Sequence, residues 1–281
     1  MVDGGAGGGA APGAEQVTRL EVTRWTDGRP AQVEDAVAVE RALEIRLGGR
    51  TLSVTLRTPG HDSELAAGFL AGEGLIGRAA DVVATRVVPA SCADQPDAIE
   101  LELAPSVRVD WTRLERHFAA TAACGLCGRA HLESLRAGVE PIAAAAPIPA
   151  PALAALPAQL RDAQAAFGAT GGLHAAAWCD EALTPRALRE DMGRHNAVDK
   201  VAGWLLGAQR YPAGAGVLWV SGRAGAEIVL KAARARIPVL AAVGAPSSLA
   251  IELARAARMT LAGFVREGRF NVYTGGERLA P

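Results

Sequence analysis

Two thiols stand closest to chemistry in this chain. Cys124 and Cys127 are spaced CxxC in Thr121-Ala122-Ala123-Cys124-Gly125-Leu126-Cys127-Gly128-Arg129, with a glycine directly after each. Glycine permits the backbone conformations that bring amide N–H groups round a sulfur, and a helix starting near Gly128 would turn its positive end towards both thiols. With Arg129 and His131 nearby in sequence, these effects favour thiolate, the form that attacks sulfur or binds metal. Three chemistries compete here. A structural zinc needs four ligands; Cys92, Cys179 or His131 could complete a set, but neither a second CxxC nor an HxxxH is present. A deaminase-type zinc uses H-x-E ahead of P-C-x-x-C, whereas the candidate His174-Ala175-Ala176 lacks the glutamate and follows the cysteines. A thiol that carries sulfur or exchanges disulfides needs only an accessible, activated cysteine and a partner, which this loop supplies.

Three further clusters lie downstream. Arg189-Glu190-Asp191-Met192-Gly193-Arg194-His195-Asn196-Ala197-Val198-Asp199-Lys200 crowds charge into one strand-to-helix passage, where Asn196 is expected to cap the helix with Asp199 in its first turn. His195 there either fixes the turn by a hydrogen bond or, kept neutral by the positive end of the helix, moves a proton. Ser221-Gly222-Arg223 and Ala245-Pro246-Ser247-Ser248 each end a strand and precede a helix whose free N–H groups could receive phosphate. Phe264-Val265-Arg266-Glu267-Gly268-Arg269 reads as an ordinary hairpin turn or as two guanidinium forks beside the same edge. From Arg186 to Pro281 there are 14 basic and 7 acidic residues, so the last third is locally basic, either as solvated helix faces or as a nucleotide or phosphate pocket.

The elements that must position these residues fall into two styles. After a Gly-rich tail come alternating runs, Leu20/Val22, Val37/Val39, then Leu43/Ile45/Leu47 and Leu52/Val54/Leu56 across Gly48-Gly49, a hairpin pattern. A helix is expected after Pro59-Gly60 with Leu65, Phe69 and Leu70 on one face, then strands Val82 to Val88 and Ile99 to Leu103, then a short helix from Trp111 to Ala120. Beyond a Pro/Ala stretch the pattern turns to strand and helix in alternation: Val217 to Val220, Ala226 to Ala235, Pro238 to Val243, Ser247 to Ala257 and Leu261 to Val265, as in crossovers over a parallel sheet. The expected organisation is a disordered tail (1–16), a smaller, mostly antiparallel strand-rich region with the cysteine loop (17–140), a Pro/Ala linker (141–157) and an α/β cofactor-binding domain (158–281).

Composition narrows the function classes. The chain has 29 Lys+Arg against 30 Asp+Glu, which disfavours a polycation that binds nucleic acid by counterion release. Its 61 alanines and few aromatics suit tight packing of small side chains, not a stacking platform for single-stranded nucleic acid. The longest uncharged stretch, Pro141 to Gln159, is broken by four prolines, so no membrane span is expected. With Asp3 and no apolar h-region the N-terminus does not read as a signal peptide, and the reducing cytoplasm is the expected compartment.

In order between Arg57 and Thr274, the segments RTPGHDSELAAGFLAGEGLI, AACGLCG, TGGLHAAA, EDMGRHNAVDK, SGRAGAEIVLKAA, IPVLAAVGAPSSLA and GFVREGRFNVYT resemble the FdhD family of formate dehydrogenase accessory sulfurtransferases. Met192 departs from the small branched residue usual there, a matter of packing. The resemblance implies a cytidine-deaminase-like α/β fold for the C-terminal part, and a cytoplasmic homodimer that takes persulfide sulfur from a cysteine desulfurase. It further implies transfer of that sulfur to the bis-molybdopterin guanine dinucleotide molybdenum cofactor, held as bound substrate, before insertion into formate dehydrogenase. The persulfide-bearing cysteine maps to Cys124, with Cys127 as companion thiol, and the cofactor-binding segment to Phe264 through Arg269. Arg223, Ser247 and Ser248 suit the pyrophosphates, a GDP-like nucleotide is the expected fragment ligand, and no metal of its own is expected. The rivals are a cofactor-binding chaperone without sulfur chemistry and a zinc-dependent nucleotide deaminase.

Overall fold

The computed structural model describes residues 15–90, 92, 95–111, 139–143 and 146–281. Cys124 and Cys127, and all but the first residue of the helix expected from Trp111 to Ala120, lie outside the described residues.

β1 (Val17–Thr26) and β2 (Arg29–Ala38) pair antiparallel along their whole length around Asp27-Gly28. β3 (Arg41–Leu47) and β4 (Arg50–Arg57) form the expected hairpin; Gly48 and Gly49 both take positive φ, which a two-residue turn of matching twist requires. After α1 (Asp62–Gly72), β5 (Val82–Val88) and β6 (Asp97–Leu103) complete a four-stranded sheet in the order β4-β3-β6-β5, antiparallel except for β3 with β6. The N-terminal part is thus mostly antiparallel, and the C-terminal part is mixed α/β.

That second part runs β7 (Ile148–Pro149), α2 (Ala150–Arg161), α3 (Ala165–Thr170), β8 (His174–Cys179), β9 (Pro185–Asp191), α4 (Arg194–Gly207), β10 (Val217–Val220), α5 (Ala226–Arg234), β11 (Val239–Ala242), α6 (Ser248–Ala256), β12 (Thr260–Arg266), β13 (Arg269–Thr274) and β14 (Leu279–Ala280). Its six-stranded sheet has the order β13-β12-β11-β10-β8-β9, and only β10, β11 and β12 are mutually parallel. The parallel crossovers expected from strand-helix alternation are these three central strands, and hairpins close both edges of the sheet. β7 and β14 pair separately.

The Pro/Ala stretch is not a linker throughout: it is helical from Ala150. Pro151 sits in the first turn, where its missing N–H costs nothing. Pro157 lies inside the helix, at a cost of about 3 kcal/mol. Leu153, Leu156 and Leu160, at most 1% exposed, pack on the sheet and return roughly 1.5–3 kcal/mol each, so burial outweighs the proline.

Alternation along the central strands divides the core between the two sheet faces. Ala175, Ala177, Val217, Trp219, Val239 and Ala241 pack with α2, whereas Ala176, Trp178, Leu218, Val220, Leu240 and Ala242 pack with α4, α5 and α6. The second cluster continues without a break through α1 into Leu43, Ile45, Ile99 and Leu101 of the smaller sheet. α1 and α4 lie against each other at glycines: a Cβ on Gly68 would be driven into the Asp199 carbonyl, and one on Gly203 into that of Glu64. Among the described residues no helix is long and apolar enough to cross a membrane.

Candidate functional site

The charged passage before α4 is largely consumed in joining the two parts. Asp191, fully buried, accepts from Thr58 N (3.2 Å), Gly193 N (2.8 Å) and Asn196 Nδ2 (3.0 Å), and pairs with Lys200 Nζ at 2.7 Å. Lys200 also donates to Thr58 O at 2.8 Å. Arg189 grips Glu64 of α1 through Nε and Nη2 at 2.5 and 2.8 Å. Such pairs satisfy charges that would be costly to bury alone. The N-cap of α4 is Gly193, not Asn196, whose side chain instead donates to Leu56 O and Asp191 Oδ1. Asn196 departs from the expected cap because its amide is used across the junction, away from the helix end. Asp199 falls in the second turn and pairs with Lys231 Nζ of α5 at 2.6 Å. Burial pushes its carboxyl up to about 6 against the opposing pull of Lys231.

His195 remains free of this clamp. Its Nε2 stands 3.1 Å from Glu227 Oε2. Burial lowers its pKa below the ordinary histidine value, with Arg194, Lys231 and His174 acting in the same direction and Glu227 against it. Neutrality at neutral pH thus comes first from desolvation.

A cavity of about 900 Å³ opens at the carboxyl ends of β10 and β11, the place where open α/β sheets hold ligands. One wall is Ser221, Val243 and the β12–β13 hairpin with Val265, Arg266, Glu267 and Arg269; the other is Pro157, Ala158 and Arg161 of α2 with Gln164 and Phe167. Trp219 lines it too, 2% exposed, and its indole Nε1 has no acceptor among the described residues. An acceptor atom of a ligand would satisfy that N–H. Ser221 Oγ accepts from Ala175 N at 2.9 Å and so fixes the β10 end beside His174. His174 lines the cavity, its pKa lowered by burial and then by Arg194. Gly222 packs on that ring: a Cβ there would stand 3.3 Å from His174 Nδ1.

The hairpin is shaped by a bulge between Gly263 and Arg266, with Phe264 at φ +55°. The bulge breaks alternation, so Val265 points inward, fully buried, while Phe264 and Arg266 are exposed on either side of it. Gly268, at φ +75°, makes the turn that pairs Arg266 with Arg269. Of the residues expected to hold the cofactor, the structure brings Val265, Arg266, Glu267 and Arg269 to this cavity. Phe264 lines a smaller one across the hairpin. Arg223 and Ser248 do not line the large cavity, nor does Ser247, whose hydroxyl caps α6 by accepting from Ala250 N at 3.2 Å. Arg161, Gln164, Phe167, His174 and Trp219 join the site without having been expected there. His174 and the glycines before it lay within the TGGLHAAA segment, a usable signal; Arg161 stood just past a stretch read as linker. Cys179, considered as a zinc ligand, is a core residue of β8 whose thiol burial pushes up to about 12, and Cys92 is exposed.

Fold and site together define a mixed α/β protein with an arginine-bearing cleft at the carboxyl ends of its parallel strands. The chain belongs to the FdhD/NarQ family, whose sequence profile matches residues 38–280. It is 48% identical over 270 residues to the sulfur carrier protein FdhD of Nocardia farcinica, covering 93% of this chain and 94% of the relative. Against the sulfur carrier protein FdhD of Streptomyces coelicolor the identity is 44% over 268 residues, with 93% and 95% covered. The crystal structure described as a formate dehydrogenase accessory protein from Desulfotalea psychrophila matches with a TM-score of 0.75 over 94% of this chain and 100% of that one, at 24% identity, a likeness of fold.

Proposed function

We propose that this protein is a sulfur carrier of the FdhD type, an accessory sulfurtransferase in the maturation of the formate dehydrogenase cofactor. The thiolate of Cys124 attacks the outer sulfur of a persulfide on a cysteine desulfurase; the donor's S–S bond breaks, its cysteine leaves as thiolate, and Cys124 retains the sulfur as a persulfide. That sulfur then passes to the bis-molybdopterin guanine dinucleotide molybdenum cofactor, which is cargo here. The Cys127 thiolate attacks the Cys124 sulfur, the persulfide S–S bond breaks, the outer sulfur leaves as sulfide for the cargo, and the two thiols supply its two electrons by closing a disulfide. Cys127 is the companion thiol. The cleft receives a guanine dinucleotide arm, with Arg161, Arg266 and Arg269 against its pyrophosphate and the Trp219 N–H against an acceptor of the ligand. His195, paired with Glu227, takes or returns a thiol proton. The same reading includes a homodimer, the cytoplasm as compartment, and a cytidine-deaminase-like C-terminal part, for which the mixed sheet with helices on both faces is the support.

The observation that carries the proposal is the arginine-bearing cleft with an unsatisfied indole donor, in a chain 48% identical to a sulfur carrier. Incubation with a cysteine desulfurase and cysteine should add one sulfur to the intact mass of the wild type and none to Cys124→Ala. The variant should also fail to restore formate dehydrogenase activity in cells lacking the native protein. Full restoration by Cys124→Ala would leave a cofactor-binding chaperone as the better reading, and near-stoichiometric zinc in the purified protein would favour the deaminase.

A further inference from the structure

At the other end of the sheet from the cleft, a cavity of about 470 Å³ opens where α6 turns into β12 and where β13 ends. Three guanidinium groups line it: Arg255 in the last turn of α6, Arg258 just before β12, and Arg278 beyond β13, with Glu277 as the one carboxylate. Arg278 is 7% exposed, yet its Nε and Nη1 have no hydrogen-bond acceptor among the described residues. Its Nη2 donates to Ala143 O at 3.4 Å, and the Glu277 carboxylate stands 3.8 Å from Nη1 on a side chain that is itself 77% exposed. A buried cation with idle donors is costly, and an anion entering the cavity would answer it.

Capping does not account for the other two arginines. Basic residues at a helix C-terminus commonly answer its free carbonyls, but here the backbone closes that end: Arg258 N donates to Arg255 O at 3.1 Å and Met259 N to Ala254 O at 2.8 Å. The frame of the cavity is fixed as well, since Thr274 Oγ1 donates to Met259 O and Thr260 Oγ1 to Gly275 O, at 2.8 and 2.6 Å.

We propose that this cavity binds a phosphate group. Three guanidinium groups against one carboxylate leave two positive charges, which a phosphate dianion balances and a single carboxylate does not. No described residue lines both this cavity and the cleft, so the site stands independently of the sulfur-carrier reading.

Inorganic phosphate is titrated against the full chain at pH 7.5 and constant ionic strength, with the thermal midpoint as readout. Three proteins are compared: wild type, the cleft variant Arg266→Gln/Arg269→Gln, and Arg255→Gln/Arg258→Gln. Because Arg255 and Arg258 are exposed, their replacement leaves the fold in place. Phosphate should raise the midpoint of the wild type and the cleft variant alike, and bind the Arg255→Gln/Arg258→Gln protein at least tenfold more weakly. Phosphate also stabilises proteins generally by exclusion from their surfaces, so an equal rise in all three would overturn the proposal. So would a rise lost in the cleft variant, or no rise at all. Glycerol 2-phosphate, run in parallel, separates the sources: binding of both assigns the site to a phosphate carried on a larger ligand, and binding of inorganic phosphate alone to the free ion.

Discussion

At His195 two electrostatic effects oppose each other. The Glu227 carboxylate, 3.1 Å away, stabilises the imidazolium, while burial and the charges of Arg194 and Lys231 favour the neutral ring; burial is the largest and sets the direction. Glu227→Gln removes the one opposing influence, so the imidazole pKa read by NMR should fall further below the ordinary value near 6.5. A value that holds or rises would show that the Glu227 contact does not persist in solution. His195→Gln separates the two roles open to this ring, since an amide keeps a hydrogen bond but cannot titrate. Loss of sulfur transfer with an unchanged thermal midpoint is the outcome expected of a proton carrier. Cys179 makes the opposite case: its thiol, pushed up to about 12 within β8, should escape iodoacetamide in the folded protein at pH 8, as peptide mass mapping would show.

Between elements, the crossing of α1 over α4 concentrates the tightest steric demand. Alanine in a helix interior gains about 1 kcal/mol over glycine on propensity alone. At Gly68 and Gly203 the added methyl meets backbone that cannot step aside, and overpacking of that kind costs typically 1–3 kcal/mol and occasionally more. Gly68→Ala and Gly203→Ala should therefore each lower the urea midpoint, the reverse of the propensity ranking. Asp199 adds a pH dependence to the same junction. Its carboxyl is raised to about 6 in the folded state from 3.8, so between those values the native protein binds more protons than the unfolded chain, and stability falls as pH rises. Between pH 4 and 7 the wild type should lose roughly 2 kcal/mol relative to Asp199→Asn, measured by denaturant unfolding at each pH. None of this was legible beforehand. Periodicity located α1, α5 and α6, and the strands β3 to β6 and β10 to β12 within a residue or two, since burial of one face writes itself into local spacing. That Asp199, Asn196 and Lys200 serve the junction follows from which elements meet, and sequence-local rules about caps and first turns cannot see it.

For the molecule as a whole, the two parts share one core and one clamp, and the cleft lies where the C-terminal sheet presents its strand ends. The hairpin wall of that cleft was readable from Arg266 and Arg269 beside a glycine turn; the α2 wall was not, because two prolines disguised a helix held by Leu153, Leu156 and Leu160. Arg223, Ser247 and Ser248 suit phosphate by their sequence because each stands at or just before a helix start, a local property that does not tell which strand end opens into a cavity. The difference can be tested with GDP as a fragment of the cofactor. Arg161→Gln alone should weaken GDP binding, and Arg266→Gln/Arg269→Gln should weaken it further, each charge-assisted contact being worth about 1.5–3 kcal/mol, while Arg223→Gln should leave it nearly unchanged. Trp219→Phe keeps an aromatic side chain and deletes the indole donor, so a loss of affinity in that variant with an unchanged thermal midpoint would place an acceptor atom of the ligand at the cleft floor. Calorimetric titration at two salt concentrations completes the test, because contacts among three guanidinium groups and a diphosphate weaken as salt rises. Affinity lost in Arg223→Gln but kept in Arg161→Gln would move the nucleotide out of this cleft towards the helix starts that the sequence favoured.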